Sequence, residues 1–325
     1  DICLQSNSKW RTIKMCNVDP SDGLVARVHS IALLGLRLTP CQWSILSLLL
    51  AHPLLSDEEL AALLAIQQRS VRCSLYELHH LDCLAPIATK VGKRWHLCER
   101  GLRLVAAANC MHIRTITEMS DDGVESESAT VVQRGEAWLL QRMNHTAGIY
   151  SYFARLAMTA RKETGQDLCW WETGVMCERR YRVSEQWYNL KPDALAEYRM
   201  GSQRMRFWLE WDRGTMNVRD LTIKFTSYAH YIASREWARE HSLLPVLICV
   251  APDIAQERRM QRVAQDRLAQ SAGLIVWMTT ETLFNERGPL SPIWLQGLPQ
   301  RSQAAKPGCV LRQCLYDMIA RKNGM

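Results

Sequence analysis

The chain has 325 residues, 47% of them hydrophobic, so it is long enough for two ordinary domains with separate cores. This composition excludes a disordered or fibrous protein. Lysine and arginine outnumber aspartate and glutamate by 40 to 33, and the resulting net charge of +7 favours a polyanionic partner such as nucleic acid.

The twelve cysteines are scattered along the chain, and no signal peptide is evident, so we expect reduced thiols in a cytoplasmic protein. No Cys-x-x-Cys pair occurs, and Cys309 and Cys314 have no second pair of ligands nearby, which argues against a zinc site. The longest apolar run, Ile45 to Ala51, is far shorter than the roughly 20 residues that a membrane span needs.

We expect residues 1–23 to form an irregular arm and residues 24–115 to form the first domain. Thr39 and Pro40 are typical of a helix start, and the following apolar residues predict a helix that ends at His52. Ser56 and Glu59 form a capping box for a second helix, and a third is predicted to begin near Gln67.

A short strand at 84–88, a basic turn at 90–94 and a returning strand at 95–97 follow the three helices. Helices followed by a basic hairpin predict a winged helix-turn-helix, which would bind DNA through its third helix and its wing. The predicted DNA-contacting side chains are those of Gln68, Arg69, Arg72, Tyr76, Lys90, Lys93 and Arg94. The alternative is a small helical bundle, or a winged helix used only for protein interaction or dimerisation.

Residues 116–133 are predicted to be a linker, because Glu118 to Thr130 are acidic and contain almost no large apolar side chains. The second domain, residues 134–298, begins with a helical pattern over 136–162 that we expect to break near Gly148. His145 lies within it and is interpreted as a hydrogen-bonded structural residue, not as a ligand.

Further along, two-residue periodicity predicts an antiparallel hairpin with strands at 192–198 and 205–212. Helices at 218–240 and 254–270 alternate with strands at 245–250 and 273–278. This succession predicts a mixed α/β domain with a central sheet.

Alternation along the second hairpin strand places Glu210 and Asp212 on one face, and the hairpin register can bring Asp193 beside them. Three acids on an apolar sheet would repel one another unless a cation lay between them, which suggests Mg²⁺ or Mn²⁺ held by Asp193 and Glu210. Such an ion could activate a water molecule to hydrolyse a phosphodiester bond, and Lys224 is the best candidate for a lysine that assists this hydrolysis. The alternative is that these charges form surface ion pairs.

The order Pro192-Asp193, Glu210-Trp211-Asp212 and then Lys224 resembles the PD-(D/E)xK nuclease core, with the lysine moved to the following helix. The segments KPDALAEY, FWLEWDRGT and KFTSYAHY, the winged helix before them and GLIVWMTT to GPLSPIW after them resemble the replication-relaxation family of plasmids and mobile elements. The resemblance implies a winged helix joined to a restriction-endonuclease-like domain, with Asp193, Glu210, Asp212 and Lys224 as the catalytic set.

Two functions follow as expectations. The chain is either a metal-dependent DNA endonuclease or a non-catalytic DNA-binding factor in replication, maintenance or regulation. The expected partners are double-stranded DNA, other replication or mobile-element proteins and a second copy of the chain. Ligand-responsive repression is a third class, although no phosphate-binding loop or Ser/His/Asp signature supports it.

Residues 299–325 form a basic tail, in which Val310 to Lys322 predicts a short helix that contacts a partner or DNA, or that is simply solvated.

Overall fold

The computed structural model describes residues 34–109, 140–183, 185–241, 244–269, 271, 274–297 and 312–314. The chain divides into two compact units between Asn144 and His145. The predicted arm at 1–23 and linker at 116–133 lie outside the described residues. No helix in the described part of the chain is long and apolar enough to cross a membrane.

Within residues 34–109, the first unit contains a two-stranded hairpin and four helices whose full extent is described. These are α1 (Pro40–Ala51), α2 (Asp57–Leu64), α3 (Gln68–His80), β1 (Leu84–Thr89), β2 (Gly92–Leu97) and α4 (Glu99–Ala108). Thr39 and Ser56 cap α1 and α2 through complete capping boxes, with Gln42 and Glu59 as the reciprocal partners. The predicted starts of α1 and α2 are therefore confirmed, because local sequence alone satisfies the first backbone amides of each helix.

Strands β1 and β2 pair antiparallel from Leu84↔Leu97 to Thr89↔Gly92, with a tight turn between them. Gly92 has φ +99, a backbone conformation that side chains other than that of glycine rarely adopt. The backbone of Trp95 also bridges to Leu55, which ties the hairpin to the segment between α1 and α2. Three helices followed by this hairpin form a winged helix-turn-helix, as predicted.

The second unit is built on a seven-stranded sheet with strand order β11-β10-β9-β8-β7-β6-β3. Its strands are β3 (Gln166–Thr173), β6 (Ala194–Met200), β7 (Gln203–Trp211), β8 (Val246–Ala251), β9 (Val276–Thr280), β10 (Trp294–Gln296) and β11 (Arg312–Gln313). Strands β7, β8 and β9 run parallel, and the other neighbours pair antiparallel. A separate hairpin comprises β4 (Arg179–Val183) and β5 (Gln186–Leu190). The predicted mixed α/β class is confirmed.

Helices cover both faces of the sheet. On one face, α6 (Val218–Ser234) and α7 (Ile254–Leu268) bury a core that includes Trp208, Phe225 and Met260. On the other face, α5 (Met143–Ala160) and α8 (Glu281–Arg287) contribute an aromatic cluster in which Tyr152 stacks on Phe284 at 5.1 Å. The β7 side chains alternate between the two layers, as the two-residue periodicity predicts.

Helix α5 runs through Gly148 without the predicted break. A Cβ atom at Gly148 would lie 2.3 Å from Nε1 of Trp211, so the glycine allows the indole ring to pack directly against the helix backbone. The glycine therefore serves packing, not a change of direction.

Strands β3, β4 and β5 lie within residues 166–190, for which no element was predicted. Two other expectations are corrected. The helix predicted over 218–240 ends at Ser234, because Arg235 adopts a left-handed conformation, and a short 3-10 helix follows at Glu236–Arg239. In the tail, Arg312 and Gln313 extend as β11 beside β10 and do not form the predicted helix, whose remaining residues lie outside the described part, apart from Cys314.

Candidate functional site

The pairing of β6 with β7 brings two carboxylates together at the end of the hairpin. Ala194 lies opposite Leu209, so continuing the register by one residue places Asp193 opposite Glu210. The backbone N–H of Asp193 donates to the carbonyl oxygen of Leu209 at 3.2 Å, which keeps this pairing in place. The predicted approach of these two acids is therefore found in the structure.

Lys224 lies against both carboxylates. Its Nζ is 3.6 Å from Oδ1 of Asp193 and in direct contact with Oε2 of Glu210. One helical turn further along α6, the hydroxyl of Tyr228 donates to Oε1 of Glu210 at 2.6 Å. Positions i and i+4 share one face of a helix, so α6 delivers both groups to the same carboxylate.

Asp193 has two further partners. The backbone N–H of Trp211 donates to its Oδ2 at 2.8 Å, and Nε2 of His145 lies 3.1 Å from its Oδ1. The interpretation of His145 as a hydrogen-bonded residue fits this contact, but sequence reasoning did not connect it with the acids. No local sequence pattern links His145 on α5 to Asp193, because strands β3, β4 and β5 separate the two residues along the chain.

Burial and charge set the ionisation of this cluster. Burial would raise the pKa of Asp193, but Lys224 and the contacts with His145 and Trp211 outweigh it and hold the pKa well below its usual range. Burial raises the pKa of Glu210. Lys224 opposes this effect and Asp193 reinforces it, and the resulting pKa is about 8. Burial would lower the pKa of Lys224, but the two carboxylates raise it above its ordinary value. Near neutral pH the cluster therefore contains an ionised Asp193, a charged Lys224 and a proton on Glu210.

In the described part of the chain, Asp212 has no hydrogen bond or ion pair with Asp193, Glu210 or Lys224, and its predicted catalytic role stays a prediction. It lies on the predicted face, but its Oδ1 accepts the backbone N–H of Gly214 at 2.9 Å and its Oδ2 accepts the side-chain amide of Gln256 on α7. Gln256 also donates to the carbonyl oxygen of Met216 at 3.1 Å. Because its acceptor atoms are engaged with α7 and the loop after β7, Asp212 fixes that loop.

The cluster opens at one edge into a cleft of about 310 Å³. Its lining comprises Asn189, Leu190, Lys191, Asp220, Ile223, Lys224, Ser227 and Tyr228. The side chain of Lys224 is 23% exposed, whereas that of Glu210 is 1% exposed. A ligand in the cleft would therefore meet the ammonium group before it met the buried carboxylates.

The side chains of the cluster meet the requirements of a hard divalent cation only in part. Among the described residues, no group of three His, Cys, Asp or Glu side chains could hold a metal ion. Two carboxylates are nevertheless what Mg²⁺ typically takes from a protein when substrate phosphate and water complete its shell. Asp193 and Glu210 fit that requirement, and Lys224 already supplies the positive charge that the three predicted acids were expected to need.

The winged helix presents a second candidate surface. On α3, Arg69, Arg72 and Tyr76 are exposed, while Val71, Leu75 and Leu78 are buried. Arg72 is in contact with Asp57, and the side-chain amide of Gln68 donates to the same carboxylate at 3.2 Å. Arg69 and Tyr76 are therefore the α3 side chains of the predicted set that are not engaged with Asp57.

On the wing, Lys90 and Lys93 are exposed, and Nζ of Lys93 lies 4.3 Å from the centre of the Trp95 ring. Arg94 differs from the prediction. It is buried and forms an ion pair with Glu59 of α2. Arg94 lies on the face of β2 opposite Trp95, where it also donates to the carbonyl oxygen of Leu54 at 3.5 Å, so it anchors the hairpin and does not extend the basic wing.

Several solved structures resemble part of the chain. They include a transcriptional regulator from Thermotoga maritima (14% identity, TM-score 0.23, 39% of this chain and 91% of that chain). Others are PcaV from Streptomyces coelicolor with its natural ligand (16%, 0.22, 41% and 99%) and a MarR family protein from Mycobacterium tuberculosis with p-aminosalicylic acid (22%, 0.21, 40% and 99%). Superposition scores this low carry no argument about function. No curated protein matches the chain.

A protein family described as replication-relaxation matches residues 46–247. The match extends from α1 of the winged helix to β8 of the second unit, and it includes Asp193, Glu210 and Lys224. Because it spans more than half of the chain, this protein belongs to the replication-relaxation family.

Proposed function

We propose that this protein binds duplex DNA through its winged helix and hydrolyses DNA phosphodiester bonds at the cluster of Asp193, Glu210 and Lys224. The observation that carries the catalytic part is the contact of one lysine with two carboxylates beside an open cleft. An ordinary surface ion pair would not place a carboxyl group at 1% exposure, because burial opposes its ionisation.

In this proposal, Asp193 and Glu210 would hold Mg²⁺ or Mn²⁺, and Glu210 would release its proton when the ion binds. The bound ion would supply Lewis acidity and a water molecule of lowered pKa next to the scissile phosphate. Lys224 keeps its proton, lines the cleft and is placed to hold a phosphate oxygen. Tyr228 and His145 orient the two carboxylates, since each contacts one of them.

The winged helix would bring the duplex to the protein. Arg69 and Tyr76 on α3 and Lys90 and Lys93 on the wing are exposed on the two elements with which winged helices contact DNA. Phosphate contacts from these cations would supply most of the affinity and make it depend on salt. The family description, replication-relaxation, supports a role for this binding in DNA replication.

A second candidate is a DNA-binding factor in replication or maintenance without catalytic activity. It is favoured by the ion pairs of Lys224, which already balance the buried acids, and by the lack of a three-ligand metal group in the described part of the chain. In that case the second unit would be a platform for other replication proteins.

A plasmid-nicking assay separates the two candidates. Supercoiled plasmid is incubated with the protein in Mg²⁺, in Mn²⁺ or in EDTA, and relaxed and linear products are quantified. We expect cleavage that depends on the metal and is lost in Asp193→Asn and Lys224→Ala, while duplex binding stays near that of the wild type.

Glu197→Gln is a matched control for Glu210→Gln. Glu197 is also a buried carboxylate of the hairpin, and it is paired with Arg204 and Arg206 at 2.8 Å, away from the cleft. The Glu197→Gln variant should cleave plasmid DNA like the wild type, whereas the Glu210→Gln variant should not. A wild-type protein that binds duplex DNA and cleaves with neither metal would establish the non-catalytic candidate instead.

A further inference from the structure

The hairpin formed by β4 and β5 has two different faces. On its inner face, Tyr181 and Leu190 are buried, and the hydroxyl of Tyr181 donates to the carbonyl oxygen of Ser227 on α6 at 3.1 Å. The rings of Tyr181 and Tyr188 stack at 5.7 Å and add to this contact layer. The hairpin is therefore held against α6 and presents a fixed outer face.

The outer face is basic and aromatic. Arg182 pairs directly with Trp187 across the two strands, and Arg180 pairs with Asn189, so all four side chains point to the same side. All four are exposed, and the Trp187 side chain is 54% exposed. The guanidinium carbons of Arg180 and Arg182 lie 4.5 Å and 5.9 Å from the centre of the Trp187 ring.

Few acids offset this face. Glu185, in the turn, contacts Arg182, and among the described residues no ion pair involves Arg180. An exposed tryptophan between two arginines is not explained by packing, because exposing so large an apolar ring gains nothing for folding. It suits a ligand that offers both a flat π-system and negative charge.

The face leads directly to the cleft. Asn189, Leu190 and Lys191 follow Trp187 along the chain and line the same cleft as Lys224. Trp187 lies about 7 Å along β5 from Asn189, since a strand rises about 3.3 Å per residue. That separation is about one nucleotide step of an extended strand.

We propose that the outer face of the β4–β5 hairpin binds single-stranded DNA, with a base stacked on Trp187 and phosphates contacted by Arg180 and Arg182. This inference rests on the proposed function in that the strand would then continue to Lys224. Single strands fit better than duplex DNA because a base stacked and paired within a helix cannot offer its face to a protein side chain.

Binding of a labelled oligothymidylate of about 12 nucleotides, a length within the range that single-strand surfaces accommodate, is measured by fluorescence anisotropy in EDTA. Unlabelled duplex in excess occupies the winged helix. Trp187→Ala should weaken binding about tenfold, within the range for losing one stacked base, and Trp187→Phe should retain most of the affinity. Arg180→Ala with Arg182→Ala should weaken binding and flatten its dependence on salt.

The matched control replaces Arg262 and Arg267 with alanine, since both are exposed on α7 and the change in charge is the same. This variant should bind like the wild type. Equal losses in both double variants, unchanged binding in Trp187→Ala, or a wild type that binds no oligothymidylate under duplex competition would each overturn the inference. Because the assay contains no metal, a failure of catalysis in the plasmid assay leaves its result unaffected.

Discussion

Replacing Glu210 by glutamine tests the ionisation of the cluster without requiring catalysis. The carboxyl group is buried among Lys224 and Tyr228 of α6, Asp193 of the neighbouring strand and Cys249, which lies opposite it on β8. Its pKa is about 8 in the folded protein, far above the ordinary 4.5. Between these two pH values, Glu210 is protonated in the folded protein and ionised in the unfolded chain. Stability from this proton is complete below pH 4.5 and is lost as the pH rises through 8.

The size of the effect follows from the interval measured. Of the range from pH 5.5 to pH 8.5, about 2.5 pH units lie below the pKa of Glu210 in the folded protein. Each of these pH units changes the free energy of unfolding by at most about 1.4 kcal/mol. The free energy of unfolding of the wild type should therefore fall by about 3 kcal/mol relative to Glu210→Gln over this range. Asp193 does not contribute to the difference, because its pKa is lowered and its contribution is lost only in acid.

Urea unfolding of both proteins is followed by tryptophan fluorescence at the two pH values without metal. Most of the twelve tryptophans lie in the second unit, so the signal reports mainly on that unit. Subtracting the variant from the wild type removes the titration of the groups that do not interact with Glu210. A difference that stays constant with pH, or that grows in favour of the wild type at high pH, would refute the assignment of the proton to Glu210.

Three further outcomes are expected. Mg²⁺ or Mn²⁺ at a hundred times its dissociation constant should stabilise the protein by about 2.7 kcal/mol, seen as a raised thermal midpoint, and Asp193→Asn should reduce this gain. In duplex binding, Arg69→Ala should lower the salt slope by about one unit, whereas Arg72→Ala should lower it less because Arg72 is engaged with Asp57; equal slopes would contradict this. Arg94→Ala should lower the free energy of unfolding by about 3–5 kcal/mol in urea, because it leaves the buried Glu59 without a cation, and Arg94→Met with Glu59→Gln should recover most of the loss.

Local sequence predicted those features whose physical causes are local. The capping boxes at Thr39 and Ser56 satisfy backbone groups a few residues away, so the starts of α1 and α2 could be predicted. Alternation along β7 and the predicted hairpin were enough to show that Asp193 could lie beside Glu210, and the observed register brings the two together. Lys224 was identified because it lies on the helix that follows, and a helix that returns over its own sheet brings its inner face to that strand.

Contacts between distant elements decided the rest. Arg94 and Lys93 are adjacent in a basic run, but only the packing of β2 against α2 shows that one is buried with Glu59 and the other is exposed. Asp212 follows the same alternation as Glu210, yet its hydrogen bonds are to Gln256 of α7 and to the backbone of Gly214. The sequence by itself determined which acids share a face of the sheet, because side-chain alternation is a property of a single strand. The tertiary structure decided which cation or donor meets each of them, because those partners come from helices whose positions depend on packing across the whole sheet.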